Sequence, residues 1–532
     1  MSDITWQIIT MIIYFLVMIG IGLWAYRQTS DVDDYMLGGR QLNPAVAALS
    51  AGASDMSGWL LMGLPGALYM SGIFEFWIAI GLTVGAWVNW KFVAPRLRSY
   101  TEVSNNSITV PSFLDSRLRD STHSLRIVSG FIILFYFTFY VSSGMVAGGT
   151  FFEGAFGVDY KAGMLIIAAI TVFYTLVGGF LAVSYTDAVQ GALMLLALVL
   201  VPAVGIFYVG GIDVALDTAR SIDPELLNPL KNATVIGLIS TLAWGLGYFG
   251  QPHIIVRFMA LRNPKEAISA RRIGIGWMLL AVFGALFTAL VGVAIYKHDK
   301  SLLANSEQVF IVLGQLLFHP LIAGFMLAAI LAAIMSTISS QLLVSSSALI
   351  EDVYMTFTNR KLSAKAGVML SRIAVAGIAL LAGALALNPN DTILGLVAFA
   401  WAGFGASFGP TIILALYWRK LTGFGALSGM IMGAVTVAVW AKVDGGMFEI
   451  YEIVPGFIVN LLVTYVISTV TYQPNPIIDK EFETAVALSK DWSGHETAAS
   501  EVRDVIAKNP DGYEPRSATL VADDGTEIEL PK

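Results

Sequence analysis

Asp55 is a carboxylate inside an apolar stretch, Ala45–Met70, that is long enough to cross a membrane. An ionised side chain near the centre of a bilayer costs at least about 2.5–3.5 kcal/mol, so it usually faces a partner or a water-filled cavity. Its small neighbours Ser54, Ser57 and Gly58 indicate that the helix opens here and exposes backbone carbonyls. A carboxylate beside freed carbonyls, without Lys or Arg in the same segment, suits a small cation. The alternative is that Asp55 only caps a broken half-helix through its own backbone.

The composition is that of a polytopic membrane protein. Of 532 residues, 56% are hydrophobic and 13% are charged, and the mean hydropathy is +0.72. A soluble domain carries about 25% charged residues. Apolar runs of about 20 residues, enough to span a bilayer as a helix, recur along most of the chain. We therefore predict an all-α membrane protein, and the 51 glycines and 12 tryptophans fit that class.

The charge pattern and the missing cysteines exclude several other classes. The chain has no Cys, so disulfides, thiolate catalysis and Cys-based metal sites are excluded. The net charge of −7 comes from the tail after residue 470, which holds 13 acidic and six basic residues. The remainder is neutral, so we expect no nucleic-acid partner. The chain has no P-loop pattern and no metal-ligand spacing of histidines, so we expect a protein that is not an enzyme. The N-terminus lacks the features of a removable signal peptide.

Thirteen segments are predicted to span the membrane. They lie near 7–26, 43–70, 73–94, 127–155, 161–180, 187–211, 233–255, 273–296, 318–350, 368–388, 392–418, 423–441 and 449–472. If the spans alternate in direction, 19 Lys and Arg residues fall on one side and six on the other, and all 31 are assigned to loops or the tail, with Lys91 and Lys161 at the ends of their spans. The positive-inside rule then places the N-terminus outside and the acidic tail, with a short helix near Asp479–Lys490, in the cytoplasm.

Two of these spans are interrupted, the second around Asp55–Gly58 and the seventh around Trp244–Gly247. They begin two sets of five spans that have opposite orientation, and matching interruptions in two halves are typical of a transporter site. For the seventh span the alternative is that its glycines serve close packing and Pro252 is a kink.

The predicted organisation has five parts. They are a first helix and cytoplasmic loop (1–42), two five-helix repeats (43–212 and 213–420), two additional helices (421–472) and an acidic cytoplasmic tail (473–532).

At these residues the chain resembles the sodium/solute symporter family, and within it the bacterial members that carry proline. The matching segments are DDYMLGGR (Asp33–Arg40), SAGASDMSGWLLMGLPGA (Ser50–Ala67), YTLVGGFLAVSYTD (Tyr174–Asp187), WGLGYFGQPHI (Trp244–Ile254), ILAAIMSTISSQLL (Ile330–Leu343) and AWAGFGASFGP (Ala400–Pro410). The resemblance implies a leucine-transporter-like fold with two inverted five-helix repeats and about 13 transmembrane helices. It also implies uptake coupled to inward sodium flow.

The resemblance also implies a sodium site between the second and ninth spans. Its ligands would be the carbonyls of Ala53, Met56 and Ala333 and the hydroxyls of Ser336 and Thr337. Freed carbonyls and hydroxyls suit this hard cation, and adjacent helical residues point about 100° apart, so both hydroxyls can approach one ion. The alternative is that the hydroxyls only bond to carbonyls one turn earlier.

Further roles follow from the same resemblance. Asp55 matches an essential carboxylate, with a direct or a supporting role at the ion both open. Ser57 and Gly58 match positions tied to substrate affinity. Asp187, Ser339 and Ser340, with Ser336 shared, match a second sodium site found in some members. The alternative there is that Asp187 caps a helix and the serines only pack.

The substrate pocket is expected between the two interruptions. The resemblance implies that Trp59, Tyr140, Trp244, Tyr248 and Pro252 line it, and aromatic walls suit a small apolar zwitterion whose carboxylate meets free N–H groups at a helix start. Each aromatic residue could instead serve packing or the interface belt.

Arg40 matches a position that the resemblance links to coupling and gating. The alternative is that Arg40 is an ordinary positive charge of a cytoplasmic loop, which only helps to set the topology.

We therefore expect a secondary active transporter in a bacterial cytoplasmic membrane that takes up L-proline with Na⁺ by alternating access. One alternative is a sodium symporter for another small solute or amino acid, because pocket contacts rather than the fold set the substrate. The other is a membrane sensor that binds a solute and signals through the tail.

Overall fold

A computed structural model gives the fold as a bundle of helices, and it describes residues 2–26, 37–177, 180–231, 233–298, 303–358, 364–389, 392–493, 519–521 and 527–529. The helices are α1 (Asp3–Tyr26), α2 (Pro44–Gly58), α3 (Leu64–Ser71), α4 (Phe76–Val88), α5 (Ala94–Val103), α6 (Val110–Leu118), α7 (Ser124–Phe156), α8 (Tyr160–Val177), α9 (Phe180–Tyr208), α10 (Ile212–Ile222), α11 (Val235–Leu242), α12 (Pro252–Met259), α13 (Glu266–Tyr296), α14 (Val309–Leu317), α15 (Pro320–Ser347), α16 (Met355–Thr358), α17 (Ala364–Ala386), α18 (Ile393–Tyr417), α19 (Gly423–Trp440), α20 (Ile453–Thr471) and α21 (Pro476–Lys490).

Shorter elements join these helices. Wider π-helical turns lie at Trp59–Gly63, Asn89–Val93 and Ala348–Tyr354, and tighter 3-10 turns lie at Gly38–Arg40, Ile73–Glu75, Pro224–Leu227, Ala243–Gly250, Ser306–Gln308 and Gly446–Glu449. In the tail, β1 (Thr519–Val521) and β2 (Glu527–Glu529) pair antiparallel.

Ten helices of the described residues are long and apolar enough to cross a membrane. They coincide with ten of the 13 predicted spans. The other three predicted spans fall on α2 with α3, on α8, and on α11 with α12. These stretches are interrupted or have a shorter apolar run. The all-helical membrane fold is confirmed, and the count of 13 crossings stays a prediction.

The interruption predicted in the second span is confirmed at Ser57. This residue has φ +34° and ψ −165°, outside the helical region, while the residues on both sides are helical. A positive φ is rare for a residue with a side chain and costs about 1–3 kcal/mol, so the surrounding packing must hold it there. The chain turns at Ser57 and continues through Trp59–Gly63 into α3.

The second interruption lies later than predicted. Instead of breaking at Trp244–Gly247, the chain winds as a 3-10 helix through Ala243–Gly250, and the regular helix is lost at Gln251, with φ −79° and ψ 106°. The reason is Pro252, because a proline disfavours the helical conformation of the preceding residue and fits the first position of the next helix.

The expectation that every Lys and Arg lies in a loop or the tail was wrong. Arg98, Arg117 and Arg126 lie buried in α5, α6 and α7, and Arg257 is a further case. This residue lies inside α12 and is only 1% exposed. Its guanidinium donates to the Asp187 carboxylate of α9 at 3.0 Å. A buried charge is tolerated when it is paired, and the sequence gives no sign of a partner that lies 70 residues away.

Glycines allow the backbones of α4 and the 3-10 segment Ala243–Gly250 to touch. A Cβ atom on Gly85 would lie 2.2 Å from the carbonyl oxygen of Gly245, and one on Gly245 would lie 2.3 Å from the carbonyl oxygen of Gly81. No side chain fits at such distances, so the approach of these elements depends on glycine.

The predicted tail helix is confirmed as α21, which docks on the bundle. Asn475 caps its start by accepting N–H bonds from the next turn. Glu481 is buried and accepts a bond of 2.5 Å from Arg119, and the Phe482 ring lies edge-on to Tyr100 at 6.1 Å. Burial raises the pKa of Glu481 to about 7 in spite of Arg119.

We expect Gly85→Val to destabilise the bundle by about 1–3 kcal/mol or more, because overpacking is relieved only by moving the backbone. The measurement is the thermal unfolding midpoint of the purified protein. Gly276→Val is the matched control, because a Cβ on Gly276 of α13 meets no atom within 4 Å. Equal midpoints for the two variants would show that the contact between α4 and the 3-10 segment is not tight.

Docking of α21 should weaken as the pH rises through about 7. Because docking raises the pKa of Glu481, its protonated form is favoured in the docked state, and this stabilisation is complete below the ordinary pKa of 4.5 and lost above about 7. Hydrogen exchange of α21, corrected for intrinsic rates, should show roughly tenfold more opening at pH 8 than at pH 6. Glu481→Gln should remove this difference, whereas Glu483→Gln, at an exposed position, should retain it. A difference that survives in Glu481→Gln would assign the effect to another group.

Candidate functional site

The structure brings four of the predicted sodium ligands together where α2 meets α15. The Ser336 hydroxyl lies 2.9 Å from the Ala53 carbonyl oxygen, and the Thr337 hydroxyl lies 3.4 Å from the same atom. Both hydroxyls also lie 3.1 Å from the Ala333 carbonyl oxygen. All four residues are buried. The alternative, a bond from each hydroxyl to a carbonyl one turn earlier, is also present for Thr337. Both hydroxyls nevertheless also approach the Ala53 carbonyl of another helix.

We call these four residues the oxygen cluster. Ala53 comes four residues before the irregular Ser57, so its carbonyl lies near the end of the regular part of α2, where carbonyls lose their partners. Helix ends of this kind and unwound carbonyls coordinate Na⁺ in transporters. The fifth predicted ligand, Met56, is not shown in this cluster. Its carbonyl accepts the N–H of Trp59, so its ligand role stays a prediction.

Asp55 connects the two interrupted segments. The hydroxyl of Tyr248, in the 3-10 segment before the second interruption, donates to the Asp55 carboxylate. The Tyr140 hydroxyl of α7 donates to the Asp55 backbone carbonyl at 3.3 Å. Asp55 is 3% exposed. Its carboxylate therefore bonds to a tyrosine from another part of the bundle, whereas the alternative was a bond to its own backbone.

Ser57 and Gly58 shape the turn beside Asp55. The Ser57 hydroxyl accepts the N–H of Trp59 at 3.3 Å, and the Met56 carbonyl shares this donor. A Cβ on Gly58 would lie 2.9 Å from the Cβ of Ala147 and 3.2 Å from Ile334, the neighbour of Ala333. Gly58 thus lets the turn approach both α7 and the helix that carries the oxygen cluster.

Aromatic rings from the two interrupted segments lie close to one another. The ring centres of Trp59 and Trp244 are 6.4 Å apart, and Trp244 stacks on Tyr451 at 5.3 Å. Tyr248 lies edge-on to Trp401 at 5.1 Å. Of the five residues predicted to line the pocket, Tyr140 and Tyr248 bond to Asp55, and Trp59 and Trp244 pair with each other. All four are buried.

Pro252 is not shown among these rings. It lines a separate small cavity with Thr109, Phe180 and Asp352. On another side, Trp244 and Tyr451 form part of a cavity of about 350 Å³ that also includes Trp440 and Glu452. Trp244 therefore lies against Trp59 and also lines the larger cavity together with Tyr451.

The predicted second sodium site is occupied by an arginine side chain in this conformation. Asp187 accepts bonds from Ser50 at 3.0 Å, from Ser340 at 3.1 Å and from Arg257 at 3.0 Å. The Arg257 guanidinium also donates to the Ser340 hydroxyl at 2.7 Å, whereas Ser339 bonds to the Ser336 carbonyl at 3.2 Å. A guanidinium at this carboxylate neutralises its charge and repels another cation, so this arrangement argues against a second sodium ion here.

Arg40 is more than a topogenic charge. Its guanidinium donates to the carbonyls of Met259 and Ser107, each at 2.9 Å, and to the side chains of Thr101 and Asn106. Met259 is the last residue of α12. Arg40 therefore connects the end of the helix that follows the second interruption to α5 and the segment after it, and its role in gating stays a prediction.

Sequence reasoning missed Arg257, His253, Trp401 and Tyr451. Arg257 and His253 lie four residues apart in an apolar helix that begins directly after the interruption, and this spacing was a usable signal. Trp401 donates its ring N–H to the Trp244 carbonyl at 2.7 Å, and it lies in one of the segments quoted above. Tyr451 gives no sequence signal of its role.

The sequence of this chain is similar to that of known sodium-coupled transporters. Residues 35–433 match the sequence profile described as the sodium:solute symporter family. The "High-affinity proline transporter PutP" of Bacillus subtilis (strain 168) is 55% identical over 87% of this chain and 98% of its own. The "Sodium/proline symporter" of Staphylococcus aureus (strain JH9) is 50% identical over 90% of this chain and 96% of its own.

Among solved structures, a Na⁺-coupled sialic acid symporter in a substrate-bound outward-open state aligns with a TM-score of 0.74 at 19% identity. The alignment covers 88% of this chain and 98% of the other. At this identity the likeness concerns the fold, which is leucine-transporter-like. The matched profile and the extent of the sequence identity show that this chain belongs to the sodium:solute symporter family.

Proposed function

We propose that this multi-pass membrane protein of the bacterial plasma membrane couples the uptake of L-proline to the inward flow of Na⁺. The observation that carries the proposal is the oxygen cluster, in which the Ala53 carbonyl meets the hydroxyls of Ser336 and Thr337 from another helix. The identity of 50–55% to proteins named as proline transporters supports the choice of solute.

Sodium would act as a removable link between α2 and α15. Without the ion, the hydroxyls of Ser336 and Thr337 donate to carbonyls. With it, the lone pairs of the same oxygens would point to the cation, which also compensates the negative end of the regular part of α2. Na⁺ would therefore stabilise the turn at Ser57 and the adjoining solute site. Because coupling at equilibrium is reciprocal, the solute must tighten sodium binding by the same factor.

The group around Asp55 fits a small amino acid with an apolar ring. The indoles of Trp59 and Trp244 supply apolar walls, and the Asp55 carboxylate offers negative charge to an ammonium group. Asp55 acts in this proposal as a residue that positions the turn and faces the solute, without a direct sodium bond.

Alternating access requires closure at both ends of the site. Arg40 holds the end of α12 on one side, and the pair of Trp244 and Tyr451 closes the other. We assign the Arg40 side to the cytoplasm and the N-terminus to the outside, as the positive-inside rule predicts. This proposal includes the two five-helix units, 43–212 and 213–420, and the acidic cytoplasmic tail. It includes no enzymatic activity.

A symporter for another small solute would share the oxygen cluster and differ in the aromatic group. A sensor that signals through the tail would bind the solute without net transport. Competition of labelled-proline uptake by a panel of solutes in membrane vesicles, with and without a sodium gradient, separates these three functions. Uptake that is equally fast in potassium-only buffer would contradict the proposal.

Thr337→Ala should raise the sodium concentration for half-maximal proline uptake about tenfold, equivalent to about 1.4 kcal/mol of sodium binding. The reason is the loss of one oxygen from the cluster. Thr288→Ala is the matched control, because Thr288 is also buried in a membrane helix. Within the described part of the chain, its hydroxyl bonds only to Gly284 of its own helix, at 2.8 Å. If the two variants have the same sodium dependence, Thr337 is not a ligand.

Asp55→Ala should reduce sodium-driven uptake by roughly a hundredfold or more, equivalent to about 3 kcal/mol, while the protein remains in the membrane. The change removes the bond that joins the two interruptions. The control is Asp213→Ala, at an exposed position in α10. Wild-type uptake by Asp55→Ala vesicles with equal protein content would reject this role.

A further inference from the structure

The side chain of His253 is wholly buried, although its ring carries two polar nitrogen atoms. His253 is the second residue of α12, directly after Pro252. Among the described residues, neither ring nitrogen has a hydrogen-bond partner. Buried polar groups are nearly always bonded, so a group like this one requires an explanation.

The ring of His253 lies against the proposed solute site. Its centre is 5.9 Å from that of Tyr140, at a right angle, and 5.6 Å from that of Phe137. Tyr140 donates to the Asp55 backbone carbonyl at 3.3 Å. The sequence of contacts from His253 through Tyr140 to Asp55 places the imidazole at the wall of the site, on the side of the second interruption.

A zwitterionic amino acid needs donors for its carboxylate. The Asp55 carboxylate cannot donate when ionised. The hydroxyls of Tyr140 and Tyr248 already donate to Asp55, and the ring N–H of Trp401 donates to Trp244. A neutral imidazole has one N–H donor and one acceptor nitrogen, and in His253 this donor remains available.

We propose that His253 is a substrate-binding residue whose ring N–H donates to the carboxylate of the transported amino acid. This inference rests on the proposed function and extends it, because it names the residue that distinguishes a carboxylate from an uncharged amide. A donor and a negative charge would then lie at opposite sides of the site, with His253 for the carboxylate and Asp55 for the ammonium group.

The test compares His253→Leu, which removes the donor, with His253→Asn, which keeps an N–H. The readouts are KM and maximal rate of sodium-driven labelled-proline uptake, and the inhibition constants of unlabelled L-proline and L-prolinamide. His253→Leu should raise KM for proline at least tenfold and change the maximal rate less than twofold. The preference for proline over prolinamide should fall as well, because the hydrogen bond to a carboxylate is stronger than one to an amide oxygen. His253→Asn should keep most of this preference.

Three results would overturn the proposal. They are a KM for His253→Leu within twofold of wild type, an equal loss of affinity for proline and prolinamide, and equal effects of Leu and Asn. The first would mean that a water satisfies the ring, and the second would mean that the ring only packs against Tyr140 and Phe137. If His253→Leu does not reach the membrane, His253→Phe, which retains a ring there, is used with the same expectations.

The controls separate this proposal from the function on which it rests. His298→Leu, at an exposed position, should behave as wild type. Sodium binding to the purified protein without solute should be equal in wild type and His253→Leu, because the oxygen cluster is intact. Failure of the wild type to show sodium-driven uptake would contradict the proposed function, whereas the three results above contradict only the role of His253.

Discussion

The hydrogen bond between the Tyr248 hydroxyl and the Asp55 carboxylate joins two interruptions that are each unfavourable alone. In a bilayer, backbone groups without helical partners must find bonds within the protein. The Ser57 turn, the Ala53 carbonyl and the segment before Gln251 all meet this condition through neighbours from other helices. The Asn89 amide supports the same arrangement, since it donates to the Tyr248 carbonyl at 2.8 Å. The ion and solute positions that we propose exist only because this network keeps the interruptions open.

The Asp187 and Arg257 pair has a different role from that of the oxygen cluster one helical turn away. Both side chains are buried, and a buried ion pair contributes little net stability because desolvation offsets the attraction. Its value lies in fixing one arrangement, because it connects α2 through Ser50, α9 through Asp187, α12 through Arg257 and α15 through Ser340. Arg98 adds to this arrangement by donating to the carbonyls of Leu261 and Arg262 beyond α12.

The sequence was sufficient for ten of the 13 predicted spans and for the first interruption. Apolar runs of bilayer length and an Asp within a Ser- and Gly-rich stretch are local patterns, and the membrane restricts the answer to helices. The second interruption was misplaced by a few residues because the glycines near Trp244 serve close packing, while Pro252 sets the end of the 3-10 segment. Partners could not be predicted from local patterns. Ser336 and Ala53 are 283 residues apart, and only the family resemblance brought them together before the structure did. No resemblance pointed to a partner for Arg257, so this residue was wrongly predicted to lie in a loop.

The glycine contact between α4 and Ala243–Gly250 restricts how the site can rearrange. With no side chain between Gly85 and Gly245, the two backbones are in direct contact. A shift of the Ala243–Gly250 backbone would therefore press on α4 or carry α4 along. We expect these two segments, although distant in sequence, to move together.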